Sequence, residues 1–405
     1  MKFFKQEELK LLWPFYLDAL ISPMLFFMPA FIIIYFRELG FSLFQISLLT
    51  MMMPLLMLLF EIPTGAIADV YGRKFSVLLG ALIEGIAIFS IFFLDNFYAL
   101  MFAFALVGFG STFNSGAREA WITDLIKKEK KDFLHGYFAK SGSIGSFGLV
   151  ISGILGAFLV KQFGVSIIWI VAGISFFVTF LLLGFAKEHF VKRKVKVKDS
   201  FKSLTKQSKV SVKYAKNHPV LFLFLIATAL IVFANEFNGA LAWVPFLQNL
   251  GFPEHAFGYL WSAMGIMGIF APLISLKFLK KGKERKFILN AIILTILVLF
   301  LVIFVKSILF AFLIILSQLF FGRMSRPVER SYFHRFIKSK LRATVGSVES
   351  MLIGLVGVLA MPLAGLSVDY LGARYTILLS AFLMIPSAII FFKIKDGKRK
   401  VPKEK

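Results

Sequence analysis

From Leu11 to the last turn-forming break near Lys395, the chain is a succession of apolar runs separated by short breaks of charged and turn-forming residues. A helix that crosses a bilayer needs about 20 mostly apolar residues. The hydrocarbon offers no partner to an open backbone amide, so each run must satisfy its backbone within its own helix. Twelve runs are long enough: 11–36, 45–68, 75–94, 97–121, 137–160, 165–186, 219–247, 256–278, 287–305, 307–327, 342–366 and 373–394. They take up most of the 405 residues, and a chain that is 59% hydrophobic has too little polar surface for a soluble domain of ordinary composition. The expected fold is an all-α membrane protein of twelve transmembrane helices, numbered here as spans 1 to 12. The opening segment Met1–Lys10 leads straight into a run too long for a signal-peptide core and without a small-residue cleavage site, so it is expected to stay as span 1.

A net charge of +24 invites a reading as a nucleic-acid footprint, but its placement says otherwise. Nearly all Lys and Arg fall on one side of the spans, with Arg37, Lys161, Lys306 and Arg374 on the other. That bias follows the positive-inside rule and places both termini in the cytoplasm, beside anionic lipid. No nucleic-acid partner is expected. The longest break, Lys187 to Pro219, carries eleven Lys or Arg and divides the chain into a bundle at 1–186, a basic cytoplasmic loop at 187–218 and a bundle at 219–405.

Several chemistries are excluded. With no cysteine there is no disulfide, thiolate metal site or cysteine nucleophile. The five His, at 135, 189, 218, 255 and 334, are scattered, so neither a metal centre nor an enzyme site is expected. No phosphate-cradling glycine loop occurs, so no nucleotide and no other cofactor is expected.

The two bundles repeat each other. NSGAREAWITDLI at 114–126 is echoed at a shift of 211 by SRPVERSYFHRFI at 325–337, and the turn at Phe163-Gly164 matches that at Leu371-Gly372. Parallel halves of this kind predict two pseudo-symmetric six-helix bundles.

The break between spans 2 and 3 reads GAIADVYGRK, with Gly65, Asp69, Gly72, Arg73 and Lys74 spaced as Gly, three residues, Asp, two residues, Gly, Arg, Lys. Here the chain resembles the major facilitator superfamily, whose signature occupies this loop, and the resemblance extends over essentially the whole length. Independent of the name, Gly72 permits a tight reversal, Asp69 is an anion at a helix end, and Arg73 is a fork suited to a carboxylate. The resemblance implies that this cluster is a latch closing the inner side in one state, with Asp124 after span 4 as the acid for Arg73. The second-half loop, SLKFLKKGKERK, has Leu279 in place of the acid, so one latch is expected. The arginine in the middle of span 4 and the Gly-Pro pair of span 5 that mark drug antiporters of the superfamily are missing.

Ionisable residues within the spans cost roughly 2.5–3.5 kcal/mol on insertion scales, which invites a functional reading of each. Glu236, between Asn235 and Asn238 in span 7, is the leading proton or substrate site; a protonated acid bonded to a neighbouring helix is the structural alternative. The resemblance implies that spans 1, 4, 7 and 10 line the central cavity, so Asp18 in span 1 is a better substrate contact than Glu84 in span 3. Asn114 joins Ser111 and Arg118 on one expected face of span 4. Arg323 and Arg326 in span 10 could meet an anion. Under the shift of 211, Arg118 falls on Glu329 and Glu119 on Arg330, which suggests an inner gate of crossed ion pairs. Independent interfacial charges are the plain alternative.

The resemblance implies a secondary transporter that works by alternating access, without enzymatic activity, as a monomer in the bilayer. The acids favour proton-coupled efflux of a hydrophobic or cationic compound. The arginines favour uptake or exchange of an anionic metabolite, and a receptor that has lost transport is a third reading. Compact form and Lys-rich inner segments fit the cytoplasmic membrane of a bacterium or archaeon.

Overall fold

The computed structural model describes residues 4–128, 134–189, 214, 216–279, 282–337 and 341–394. Most of the basic loop expected at 187–218 lies outside the described residues. Twelve helical spans are long and apolar enough to cross a membrane: Gln6–Ala30, Leu43–Tyr71, Arg73–Ile91, Phe97–Lys127, Gly136–Phe163, Ile167–Gly184, Pro219–Asn249, Glu254–Ser275, Glu284–Phe304, Ile308–Arg335, Val345–Leu371 and Ala373–Lys393.

The contacts divide the chain into two compact units. The first comprises Met1–Phe41, Leu48–Phe201 and Pro253–Gly265; the second comprises Ser42–Ser47, Lys202–Phe252 and Ile266–Lys405. Within the first, span 1 packs on spans 5 and 6, and span 3 on spans 4 and 6. Within the second, span 7 packs on spans 11 and 12, and span 9 on spans 10 and 12. The same pairs recur with six added to each number, which is the pseudo-symmetry expected of a repeated bundle. The tips of spans 2 and 8 are the exception, since Ser42–Ser47 and Pro253–Gly265 join the unit opposite to the remainder of their helices.

Three spans are interrupted. In span 1 the helix Gln6–Leu25 gives way at Met28–Ala30 to a tighter turn and then to the helix Ile32–Glu38. Pro23 and Pro29 each remove a backbone donor there, and the buried rings of Phe27 and Phe31 fill the gap. Span 7 breaks between the helices Pro219–Phe237 and Ala240–Asn249, at Asn238 and Gly239. Span 4 breaks between Phe97–Asn114 and Ala117–Lys128, where Gly116 takes φ +69°.

That last break corrects the sequence reading. Ser111 and Asn114 do not share a continuous helical face with Arg118, because the helix is interrupted at Ser115-Gly116 between them. Span 10 departs in the other direction: its helix runs unbroken from Ile308 to Arg335, eight residues past the expected end.

Candidate functional site

The interruption in span 4 lets Arg118 reach span 1. Its guanidinium donates to Asp18 Oδ2, and the Asp18 carboxylate is 1% exposed. The other oxygen, Oδ1, accepts from Ser22 Oγ at 2.5 Å and Thr179 Oγ1 at 2.7 Å. The two hydroxyls are 2.6 Å apart, and Ser175 Oγ donates to Ser22 O at 3.2 Å. Spans 1, 4 and 6 thus meet at one buried acid with every polar neighbour engaged. A second buried acid, one that sequence reasoning missed, lies near the start of span 1. Glu8 accepts from Tyr16 Oη at 2.5 Å and from Lys140 Nζ at 2.7 and 2.9 Å. In the sequence Glu8 looks like an ordinary interfacial charge, and nothing pairs it in advance with a lysine 132 positions later.

Glu84 in span 3 is 4% exposed. Its Oε1 has no hydrogen-bond partner among the described residues, and the same holds for Asn114 Oδ1. Glycine makes room for it: a Cβ on Gly110 would meet Glu84 Cγ at 2.8 Å.

Glu236 sits in the last turn before the break in span 7. No hydrogen bond or ion pair engages its side chain among the described residues, and its Oε1 would be 3.9 Å from a Cβ on Gly357 of span 11. Asn235 beside it is exposed. The break is fixed instead by Asn238, whose side-chain amide donates to Ser380 Oγ of span 12 at 3.2 Å.

On span 10, Arg330 donates to Glu349 Oε2 of span 11 at 2.7 Å, and Ser325 Oγ donates to Glu329 Oε1 at 2.5 Å. The partners found for Arg118 and Arg330 are therefore Asp18 and Glu349, each inside its own unit, and Glu119 is exposed. Arg326 is close enough to Glu329 and to Arg323 to interact electrostatically with both. Arg323 has no acid partner among the described residues.

At the turn between spans 2 and 3, Arg73 pairs with Asp124 and donates to Ala120 O at 2.6 Å. Glu188, which the sequence did not single out, accepts from the first amides of span 3, Arg73 N at 2.7 Å and Lys74 N at 3.0 Å. Lys74 Nζ in turn donates to Gly184 O and Ala186 O, and Trp121 Nε1 to Lys187 O at 2.9 Å. The segment after span 6 is thereby tied to spans 3 and 4. Gly72 is at φ +105°, where a side chain would be strained and would meet Glu188. Gly65 faces open space, and Asp69 is half-buried with no side-chain hydrogen bond among the described residues.

Twelve spans, a repeated pair of bundles and this turn match a known lineage: the sequence model of the Major Facilitator Superfamily fits residues 17–325. The chain belongs to that superfamily. It is 23% identical over 398 residues to the uncharacterized MFS-type transporter YxaM of Bacillus subtilis, covering 92% of this chain and 94% of the relative. The fold of this superfamily member is similar to that of the nucleoside transporter NupG, with a TM-score of 0.77 at 15% identity over 95% of this chain and 99% of the other. A D-xylose-proton symporter gives a TM-score of 0.69 at 13% identity over 94% and 97%. Membership of the superfamily and the twelve spans make the chain a multi-pass membrane protein of a transporter family.

Proposed function

We propose that this transporter moves a hydrophobic or cationic compound outward in exchange for protons, with Glu236 as the coupling acid. The observation that carries the reading is an acid inside a span, at a helix break, whose side chain has no cation or donor to satisfy it among the described residues. A carboxylate so placed is too costly to persist alone in a low-dielectric setting, so it binds either a proton or a cationic substrate. Competition for one carboxyl by proton and substrate is the simplest form of antiport. The Asp18–Arg118 pair supplies the contrasting element, an acid neutralised within the protein. In proteoliposomes holding a pH-sensitive dye, lipophilic cations are expected to drive proton movement that Glu236→Gln abolishes; proton movement that survives the substitution removes Glu236 from the coupling role.

One observation favours a second reading. Arg323 is an intramembrane cation with a like charge as its described neighbour, so an anionic metabolite is the rival substrate, and the same assay with organic anions separates the two.

The crossed gate is proposed as a partner exchange during the cycle, with Arg118 meeting Glu329 and Arg330 meeting Glu119 in the state not seen here. Arg118→Glu and Glu329→Arg are each expected to stop transport and together to restore part of it. A double variant no better than either single one sinks the exchange.

A further inference from the structure

The turn at Gly65–Lys74 has a counterpart 300 positions further on. Gly65, Asp69, Gly72, Lys74 and Ser76 fall on Gly365, Asp369, Gly372, Arg374 and Thr376, at the turn between spans 11 and 12. The backbone repeats as well. Gly72 and Gly372 both adopt positive φ, 105° and 82°, and each begins the next helix by accepting a hydrogen bond, from Ser76 N at 3.2 Å and from Thr376 N at 3.1 Å. The cation after the turn has the same task in both. Lys74 binds carbonyls at the end of span 6, while Arg374 donates to Ile303 O and Val305 O at the end of span 9, both at 2.8 Å, with its guanidinium over the Phe246 ring. One motif follows an even-numbered span and the other an odd-numbered one, so they lie at opposite faces of the membrane.

The acid of the second copy is occupied. Asp369 accepts from Leu43 N at 3.0 Å and Phe44 N at 2.8 Å, the first free amides of span 2. Ser42 and Gln45 complete the same cap, with Gln45 N donating to Ser42 Oγ and Ser42 N to Gln45 Oε1. Gly365, one turn before Asp369, permits the contact: a Cβ there would meet Leu43 O at 2.5 Å and Ser47 Oγ at 2.6 Å. Span 2 is therefore held at its start by the second motif and ends in the first. Its tip, Ser42–Ser47, belongs to the second unit, whereas from Leu48 onward it belongs to the first.

We infer that Gly365–Arg374 is a second latch, acting at the face opposite the first, with Asp369 as the positioning residue that holds and releases the start of span 2. The carboxylate is matched to its load by charge, since exposed amides at a helix start carry partial positive charge and favour an anion. The expectation of a single latch was drawn from Leu279 in the loop between spans 8 and 9 and did not consider the turn between spans 11 and 12. The inference rests on alternating access but not on the substrate or the coupling ion.

The naturally cysteine-free chain allows a direct test. Spin labels on Leu39→Cys and Tyr370→Cys, both exposed and on the same face, report the separation of the ends of spans 1 and 11 in the purified full-length protein. Asp369→Ala is expected to raise the longer-distance population about fivefold, the change in ratio that loss of one helix cap produces. Asp369→Asn, which keeps the shape but loses the charge, is expected to give a smaller shift in the same direction and covers the case in which the alanine variant does not fold. Asp69→Asn, which loosens the first latch on the opposite face, is expected to shift this label pair the other way, toward the shorter-distance population. An unchanged distance distribution in the Asp369 variants, with or without a lower melting temperature, reduces Asp369 to a structural cap and overturns the latch. Because this readout needs no substrate, failure of every compound to move protons in the unlabelled protein would count against the proposed coupling while leaving the distance result standing.

Discussion

Span 1 and span 7 make corresponding helix contacts in their respective units and each carries an acid before its interruption, Asp18 and Glu236, yet the two acids live in opposite circumstances. Asp18 is sealed from solvent and fully engaged, by Arg118 from span 4 and by two hydroxyls from spans 1 and 6. Glu236 is open to a glycine face on span 11 and has no partner among the described residues. The difference begins in spans 4 and 10. Gly116 and Pro327 are equivalent under the repeat shift, and it is the glycine that breaks its helix. Proline holds φ near the helical value and forfeits one backbone bond, so span 10 continues to Arg335 and carries Arg330 to Glu349. Glycine alone tolerates the left-handed turn that swings Arg118 onto Asp18. A repeated sequence thus produces one satisfied acid and one whose side chain has no partner among the described residues.

The sharpest way to break this comparison is to open the satisfied acid. Arg118→Gln leaves a buried Asp18 charge with only two hydroxyls, and the protein is expected to lose about 3 kcal/mol in denaturant unfolding in micelles. Adding Asp18→Asn should return most of that loss. Glu236→Gln removes no partner and is expected to change stability by less than about 0.5 kcal/mol while stopping proton movement. Equal destabilisation by Arg118→Gln and Glu236→Gln would end the distinction between the two sites. A smaller effect probes its origin. Gly116→Ala places a Cβ at φ +69°, and a cost of about 1–2 kcal/mol is expected. If that variant keeps full stability, the break in span 4 is not glycine's doing and the contrast with Pro327 has another cause.

Much of this was legible in the chain. The number of spans follows from apolar length alone, since a bilayer leaves the backbone no other way to bond. The turn at Gly65–Lys74 could be read from spacing, and Asp124 was expected as the acid for Arg73 from family resemblance. The acids Asp18, Glu84 and Glu236 stood out because charge is rare in such a background. Glu8, Glu188 and Asp369 did not, because each sits at a helix end where charge is ordinary and its function depends on a distant neighbour.

What the sequence by itself determined is therefore everything governed by local pattern: helical class, twelve crossings, the repeat, and which residues are costly inside a membrane. Tertiary structure alone decided which of those costs are met internally. Asp18 and Arg118 lie 100 positions apart and Asp369 and Phe44 lie 325 apart; no periodicity links residues so separated. Their pairing depends on which helices touch and where a single glycine turns the backbone. In hydrocarbon, that choice fixes whether an acid is a bolt in the fold or a site left open for a proton.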